Sequence, residues 1–529
     1  MNATRWLRLA CLALLLCLCH QTVLTSQEPI KPAAAPPAAR KTSAPGRELG
    51  LLDASTTHHT IVLEGKPLRY TATAARLSIA DDSGKPEAEM FFVAYFKEPE
   101  DNPSRRPIAF AFNGGPGASA MWLHLGGIGP KRVPLAEDGT AVPQGYPLGD
   151  NPCTWLAFTD LVFVDPVGTG YSRAAAGTDA KKFYGLEGDA RASASFVRRF
   201  LTCWDRWRSP KYLVGESYGT TRAASLASKL ETNEGISIDG LVLISSALDF
   251  KTFSDQGNDL ACALRLPSYT AAAWYHKRLP AGSPKKLEDA ASQSAQWALG
   301  EYLTALAQGD RLPDAARTQL AERLSALTGL PKDQIERENL RIGAGEFRRR
   351  LLQDQHRLVG QLDARVTSPA PHLPWAEEGL DPAFQVTIAP YLAALHDYLR
   401  RELQFHSDAA YQFFSGKANE AWDWGSALHG YVDVTGNLKE ALAANPRLRV
   451  LMVAGYYDLT TPYLSQRYTL DHLGLPKPLR GNLTFQLYPT GHQIYTSTAA
   501  LQSLSRNAAK FFGSSGFSCK TREIPPSGR

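Results

Sequence analysis

The chain has 529 residues, of which 44% are hydrophobic, 21% charged and 10% aromatic, a balance that excludes an intrinsically disordered or fibrous protein. That length exceeds a minimal domain and calls for either two domains or one large domain carrying an insertion. A formal net charge of +5, with no dense Lys/Arg run interleaved with aromatics, gives no support to a nucleic-acid partner.

Arg5 and Arg8 precede an apolar run over residues 9–19, the layout of a secretory signal peptide spanning 1–26. The run is shorter than the ~20 residues of a comfortable membrane span, so no stable span is expected once the leader is removed; an uncleaved signal anchor is the alternative. A secreted or periplasmic destination follows. Leu16 and Leu18 stand before Cys17 and Cys19, where a lipoprotein pattern needs a small residue. Residues 27–52 are rich in Pro and Ala and read as a linker.

Next come β-like runs at 59–63, 70–77 and 90–96, expected to form an antiparallel group. Short, wholly apolar segments at 108–112, 161–164, 212–214, 241–244, 450–453 and 485–487 suit strands buried on both faces. Helical patterns at 180–207 and 220–230 alternate with them, which predicts an α/β fold around a mostly parallel sheet. Between 254 and 431 the texture turns charged and Ala/Leu-rich, with helical stretches at 286–307, 314–327 and 389–403, and reads as a helical cap inserted between two core strands. Its aromatic-rich end, 411–424, reads as cap packing rather than a binding groove. The organisation is thus core at 53–253, cap at 254–431, core again at 432–515 and a tail at 516–529.

Gly215-Glu216-Ser217-Tyr218-Gly219 is a G-x-S-x-G elbow lying between an apolar strand and a helix-like run. A serine at such a turn is held in a strained conformation above the sheet, and flanking glycines let strand and helix approach closely. A hydroxyl is a poor nucleophile at neutral pH and needs a base, which in turn needs an orienting partner. Asp458 and His492 each follow a later apolar strand. Loops of this kind gather at the carboxyl edge of an open sheet, and Ser, Asp, His is the chain order of the α/β-hydrolase triad. Either residue alone has an ordinary reading, a turn-forming Asp or an incidental His; their joint placement carries the assignment. The oxyanion donors are expected to be the amides of Tyr218 and of Gly115 in the Asn113-Gly114-Gly115-Pro116-Gly117 loop, because Pro116 has no N–H. The rival reading of that loop, a phosphate nest, lacks its lysine or dinucleotide spacing.

Removal of the leader leaves Cys153, Cys203, Cys262 and Cys519, which allow up to two bridges among three pairings or simply serve as small buried residues. Their spacing matches no zinc site, and no metal or cofactor is expected.

Taken together, NGGPG at 113–117, DPVGTGYS at 165–172, GESYG at 215–219, GYYD ending at Asp458 and GH at 491–492 resemble the serine carboxypeptidase family over residues 60–515. The resemblance implies an α/β-hydrolase core with a helical insertion and an exopeptidase that removes C-terminal residues through an acyl-enzyme. It also assigns Asn113, Gly114 and Glu216 to binding the free C-terminal carboxylate of a peptide. A carboxylate set against Glu216 is repelled unless a proton is shared, so activity on such peptides is expected to fall as Glu216 ionises. The chain departs from eukaryotic members at Ala111, where they carry Trp, and at Ala118, where they carry Cys. Relatives that transfer acyl groups, or hydrolyse esters, use the same triad, and a non-catalytic binding protein on this scaffold is a further alternative.

Overall fold

The computed structural model describes residues 50–519 apart from 82, 100–102, 137–144, 146–147, 255–256, 371–380, 426–430 and 515. All of these lie in the unit Pro45–Arg529. The expected leader, most of the linker and the last ten residues of the tail lie outside them.

Three long strands, β1 (Leu51–Leu63), β2 (Lys66–Ala80) and β3 (Pro86–Glu98), form an antiparallel meander. β1 begins two residues inside the stretch read as linker. A short strand β4 (Ile108–Phe112) follows, then a two-residue pair of β5 (Lys131–Arg132) with β6 (Gly149–Asp150), then β7 (Asp160–Val164) and β8 (Arg173–Ala174), the last pairing β3. Helix α1 (Leu186–Cys203), strand β9 (Lys211–Glu216), helix α2 (Tyr218–Thr232) and strand β10 (Gly240–Ile244) complete the first half of the core. β11 (Arg357–Val359) and β12 (Thr367–Pro369) are a small separate ribbon, and β13 (Arg449–Gly455) and β14 (Leu483–Tyr488) close the sheet.

The main sheet runs β1-β2-β3-β7-β4-β9-β10-β13-β14. It is antiparallel as far as β7 and parallel from β7 to β14. It is the α/β-hydrolase architecture, a mostly parallel mixed sheet with helices on both faces. Every residue of β4, β7, β9 and β10 is buried, as continuous apolar strands require. Two hydrophobic cores, one per face, account for this; Val214 and Val242 point to one, Leu213 and Leu243 to the other.

The register levels the strand ends at one rim. Phe112 stands opposite Gly215, Ile244 opposite both Glu216 and Val453, and Gly455 opposite Tyr488. The residues that follow these ends, among them Asn113, Ser217, Asp458 and His492, therefore start from the same edge.

Between β10 and β13 the chain is largely helical, with Asp259–Tyr275, Leu287–Trp297, Asp314–Thr328 and Pro382–Asp397 as its longer helices. Two helical readings change in detail. The stretch 286–307 is interrupted by a π turn at Ala298–Tyr302, and the helix expected from 389 starts at Pro382, where the Asp381 side chain accepts the Ala383 amide. Pro390 sits inside that helix. Segment 411–424 packs on the core: the Ser119 amide donates to Phe413 O at 3.0 Å and the Ser415 amide to Gly117 O at 2.8 Å. Trp422 meets the Tyr218 ring edge-on at 5.1 Å. Cys153 and Cys519 form a disulfide, Cα–Cα 5.1 Å, and Cys262 is buried outside it. A pairing 366 residues apart depends on where the last helix ends and leaves no mark in local spacing.

Candidate active site

Ser217 ends the β9 strand and caps α2, with φ 59° and ψ −130°, a conformation that costs an L-residue energy and is held by its surroundings. The glycines explain how. A Cβ on Gly215 would stand 2.2 Å from Gly219 O, and one on Gly219 would stand 2.4 Å from Phe112 O. Only glycine at both positions lets α2 pack this close to the strands. Ser217 is partly exposed between buried Glu216 and Tyr218. The Tyr218 amide, first of the helix, has no intrahelical acceptor and is available to a ligand.

The Asn113 loop lies directly against this elbow. A Cβ on Gly114 would come within 2.5 Å of Tyr218 N and 2.9 Å of Ser217 Cβ. Gly115, with φ 101°, is exposed between buried neighbours. The loop is held by Ala118 N–H donating to Gly114 O at 3.1 Å and by the Arg222 guanidinium donating to Asn113 O at 2.7 Å. Arg222 comes from α2 and is itself fixed by a buried ion pair with Asp189 of α1 at 2.8 Å.

His492 Nδ1 lies 2.7 Å from Asp458 Oδ2. Asp458 is fully occupied otherwise: Oδ1 accepts the Thr460 and Thr461 amides at 2.8 and 3.0 Å, and Oδ2 also accepts the Thr461 hydroxyl at 2.8 Å. β14 is three strands from β9, about 14 Å at usual strand spacing, so the His492 loop must fold back across the rim to approach Ser217. It does so at β10, where the Ser245 hydroxyl donates to His492 O at 2.5 Å beside Ile244, whose carbonyl accepts the Ser217 amide at 2.9 Å. Among the described residues no hydrogen bond joins the Ser217 hydroxyl to His492. Burial alone would lower the basicity of His492; the charge and hydrogen bond of Asp458, with smaller contributions from Glu216 and Asp381, more than offset this and raise its pKa above the usual value.

Glu216 Oε1 accepts a hydrogen bond from Asn113 Nδ2 at 2.8 Å, and Asn113 Oδ1 accepts the Leu123 amide at 3.0 Å. Glu216 Oε2 is buried without a partner that meets hydrogen-bond geometry among the described residues, and the Tyr495 hydroxyl is its polar neighbour. Burial pushes the Glu216 pKa up to about 7, against the opposing influence of His492, Tyr495 and Asn113.

Asp165 stands apart from the Asp458–His492 pair, at the end of β7 and separated from β9 by β4. Its Oδ1 accepts the Ala120 amide at 2.8 Å, its backbone carbonyl accepts the Ser172 hydroxyl at 2.6 Å, and burial raises its pKa to about 7. Tyr171 is buried against Phe91 and Tyr411. DPVGTGYS is therefore a packed turn. Thr461 was missed by sequence reasoning, though an Asp followed at +3 by Thr ahead of a helix is a readable side-chain-to-backbone motif. Among the described residues no group of three or more His, Cys, Asp or Glu is arranged to hold a metal, and no helix is long and apolar enough to cross a membrane.

The sequence profile of the family described as "Serine carboxypeptidase" matches residues 80–497. Among curated relatives, a serine carboxypeptidase-like 20 of Arabidopsis thaliana is 31% identical over 26% of this chain and 27% of its own length. A carboxypeptidase Y homolog of Arthroderma benhamiae is 32% identical over 30% of each chain. The matched stretch thus spans under two-fifths of the curated relatives' length. The prohormone-processing carboxypeptidase of Saccharomyces cerevisiae shares the fold, with TM-score 0.50 and 16% identity over 84% of this chain and 91% of that one. Elbow, glycine loop, strand order and profile agree, and the chain belongs to the serine carboxypeptidase family.

Proposed function

We propose that the protein is an exported serine carboxypeptidase that cleaves the last residue from peptides with a free C-terminus through an acyl-enzyme. The 2.7 Å contact of His492 with Asp458, looped back toward the strained Ser217, is the observation that carries this reading. In it, Ser217 Oγ attacks the scissile carbonyl while His492 accepts its proton and Asp458 stabilises the imidazolium. The developing oxyanion is met by the Tyr218 and Gly115 amides. His492 then hands its proton to the departing amine, and water resolves the ester by the same route reversed.

Asn113, Gly114 and Glu216 would hold the substrate carboxylate. A neutral Glu216 has a proton to donate from an otherwise unpartnered oxygen, and the Asn113 amide orients it. The exposed glycine backbone beside them gives the ligand room. Export is supported by the leader-like first 26 residues, and no metal or cofactor is needed for the chemistry.

The test compares one peptide with a free C-terminus, its C-terminal amide and a small ester, each with wild type and Ser217→Ala. Preference for the free acid, lost with Ser217, is expected. Equal turnover of all three substrates would favour an esterase or acyltransferase, and failure of a fluorophosphonate to label Ser217 would favour a binding protein.

A further inference from the structure

The edge position of β14 poses a mechanical problem. Among the described residues this strand pairs with β13 alone, so the 489–492 loop that carries His492 is supported by the sheet on one side. The missing support comes from a turn at 361–365, far away in sequence, within the helical insertion.

That turn grips both loops of the Asp458–His492 pair. Leu362 O accepts the His492 amide at 2.6 Å, and Asp363 Oδ2 accepts the Gly491 amide at 3.2 Å. On the other loop, the Ala364 amide donates to Tyr457 O at 3.0 Å, and Gln361 O accepts the Leu459 amide at 3.0 Å. Arg365 closes the bracket. Its guanidinium pairs with Asp363 at 2.7 Å, donates to Thr490 Oγ1 at 3.0 Å and to Pro489 O at 3.3 Å, and lies 5.5 Å from the centre of the Tyr457 ring. Both charged side chains are only 7% exposed. Glycine at 491 is what admits the contact, since a Cβ there would stand 2.5 Å from Asp363 Cβ, Asp363 Cγ and Leu362 O.

We propose that Asp363 and Arg365 are positioning residues for catalysis: the pair fixes the Asp458 and His492 loops relative to each other and so sets the rate of attack by Ser217. The inference rests on the triad reading above. A planar guanidinium with several directed donors suits this task, because it holds a carboxylate, a hydroxyl and a carbonyl in one fixed fork. Among the described residues neither makes a hydrogen bond or ion pair with Glu216. Substrate affinity should therefore be spared, while loss of sub-ångström alignment lowers the chemical rate.

The experiment measures kcat and KM on a free-acid peptide, together with the rate of Ser217 labelling by a fluorophosphonate, in Asp363→Asn, Arg365→Ala and Arg365→Lys, with thermal melts for folding. In folded variants kcat and the labelling rate are expected to fall about 10- to 100-fold with KM within about twofold. Arg365→Lys, which keeps the charge and loses the fork, should recover part of the loss. A folded Asp363→Asn or Arg365→Ala protein labelled at the wild-type rate overturns the proposal, as does a loss confined to KM. If both fail to fold, Thr490→Val removes one contact of the guanidinium and leaves the ion pair whole. A folded Thr490→Val protein with kcat lowered about threefold at unchanged KM supports the proposal, and wild-type kcat overturns it. Absence of labelling in the wild type would instead overturn the triad reading itself.

Discussion

The two halves of the candidate site are built by different means. The Ser217 elbow and the Asn113 loop leave adjacent central strands, and glycines at 114, 215 and 219 let them touch directly, with Arg222 of α2 holding the Asn113 loop in place. The Asp458 loop leaves β13 and the His492 loop leaves the edge strand β14, and their relative position depends on side chains and a turn from the insertion. A central loop inherits its position from strand pairing on both sides. A loop at the edge has half that support, so it borrows rigidity through long-range hydrogen bonds.

Five substitutions break or sharpen this contrast. Ser217→Ala should reduce kcat by about 10⁶ without changing the melting temperature, because in the proposed mechanism Ser217 supplies chemistry and no packing; steady-state kinetics and calorimetry read both. Asp458→Asn should cost about 10⁴ in kcat, since an amide can no longer stabilise the protonated His492. Gly114→Ala attacks the central half sterically: its Cβ would stand 2.5 Å from Tyr218 N, so kcat should fall about 100-fold and the melting temperature should drop with it.

Glu216→Gln separates recognition from chemistry. Glu216 is neutral below a pH of about 7 and ionised above it, and an ionised group repels the substrate carboxylate. Wild-type cleavage of free-acid peptides should therefore decline as pH rises through about 7, whereas ester hydrolysis should not. The Gln variant should lose that alkaline decline, and a pH profile of kcat/KM that keeps it would remove Glu216 from the binding role. On the acid side His492 must be neutral to accept a proton, and its raised pKa moves that limb upward, so the two groups titrate as a coupled pair. Smallest in catalytic effect is Cys519→Ser. It opens the Cys153–Cys519 disulfide and should lower stability by about 2–4 kcal/mol in chemical denaturation, with kcat unchanged.

The central half was legible because its signals are local. GESYG and NGGPG sit beside their apolar strands, and the contact of Gly215 with Gly219 O forces glycine within one turn, whereas Gly114 and Gly219 answer to the approach of the two loops. Asp458 and His492 were legible as strand-end residues. Their support was not: nothing in Leu362-Asp363-Ala364-Arg365 distinguishes it from an ordinary charged turn until the insertion is folded back onto the rim. The partner of Cys153 was hidden for the same reason.

By itself the sequence determined the alternation of buried strands and helices, the order of the site residues and the strained serine turn, because hydrophobic periodicity and the close contact of Gly215 with Gly219 act over short range. Only the tertiary structure decided which loops meet, which cysteines join, and that a turn of the insertion braces the histidine at the open edge. Those outcomes depend on hydrogen bonds and burial between segments more than a hundred residues apart, which no local pattern encodes.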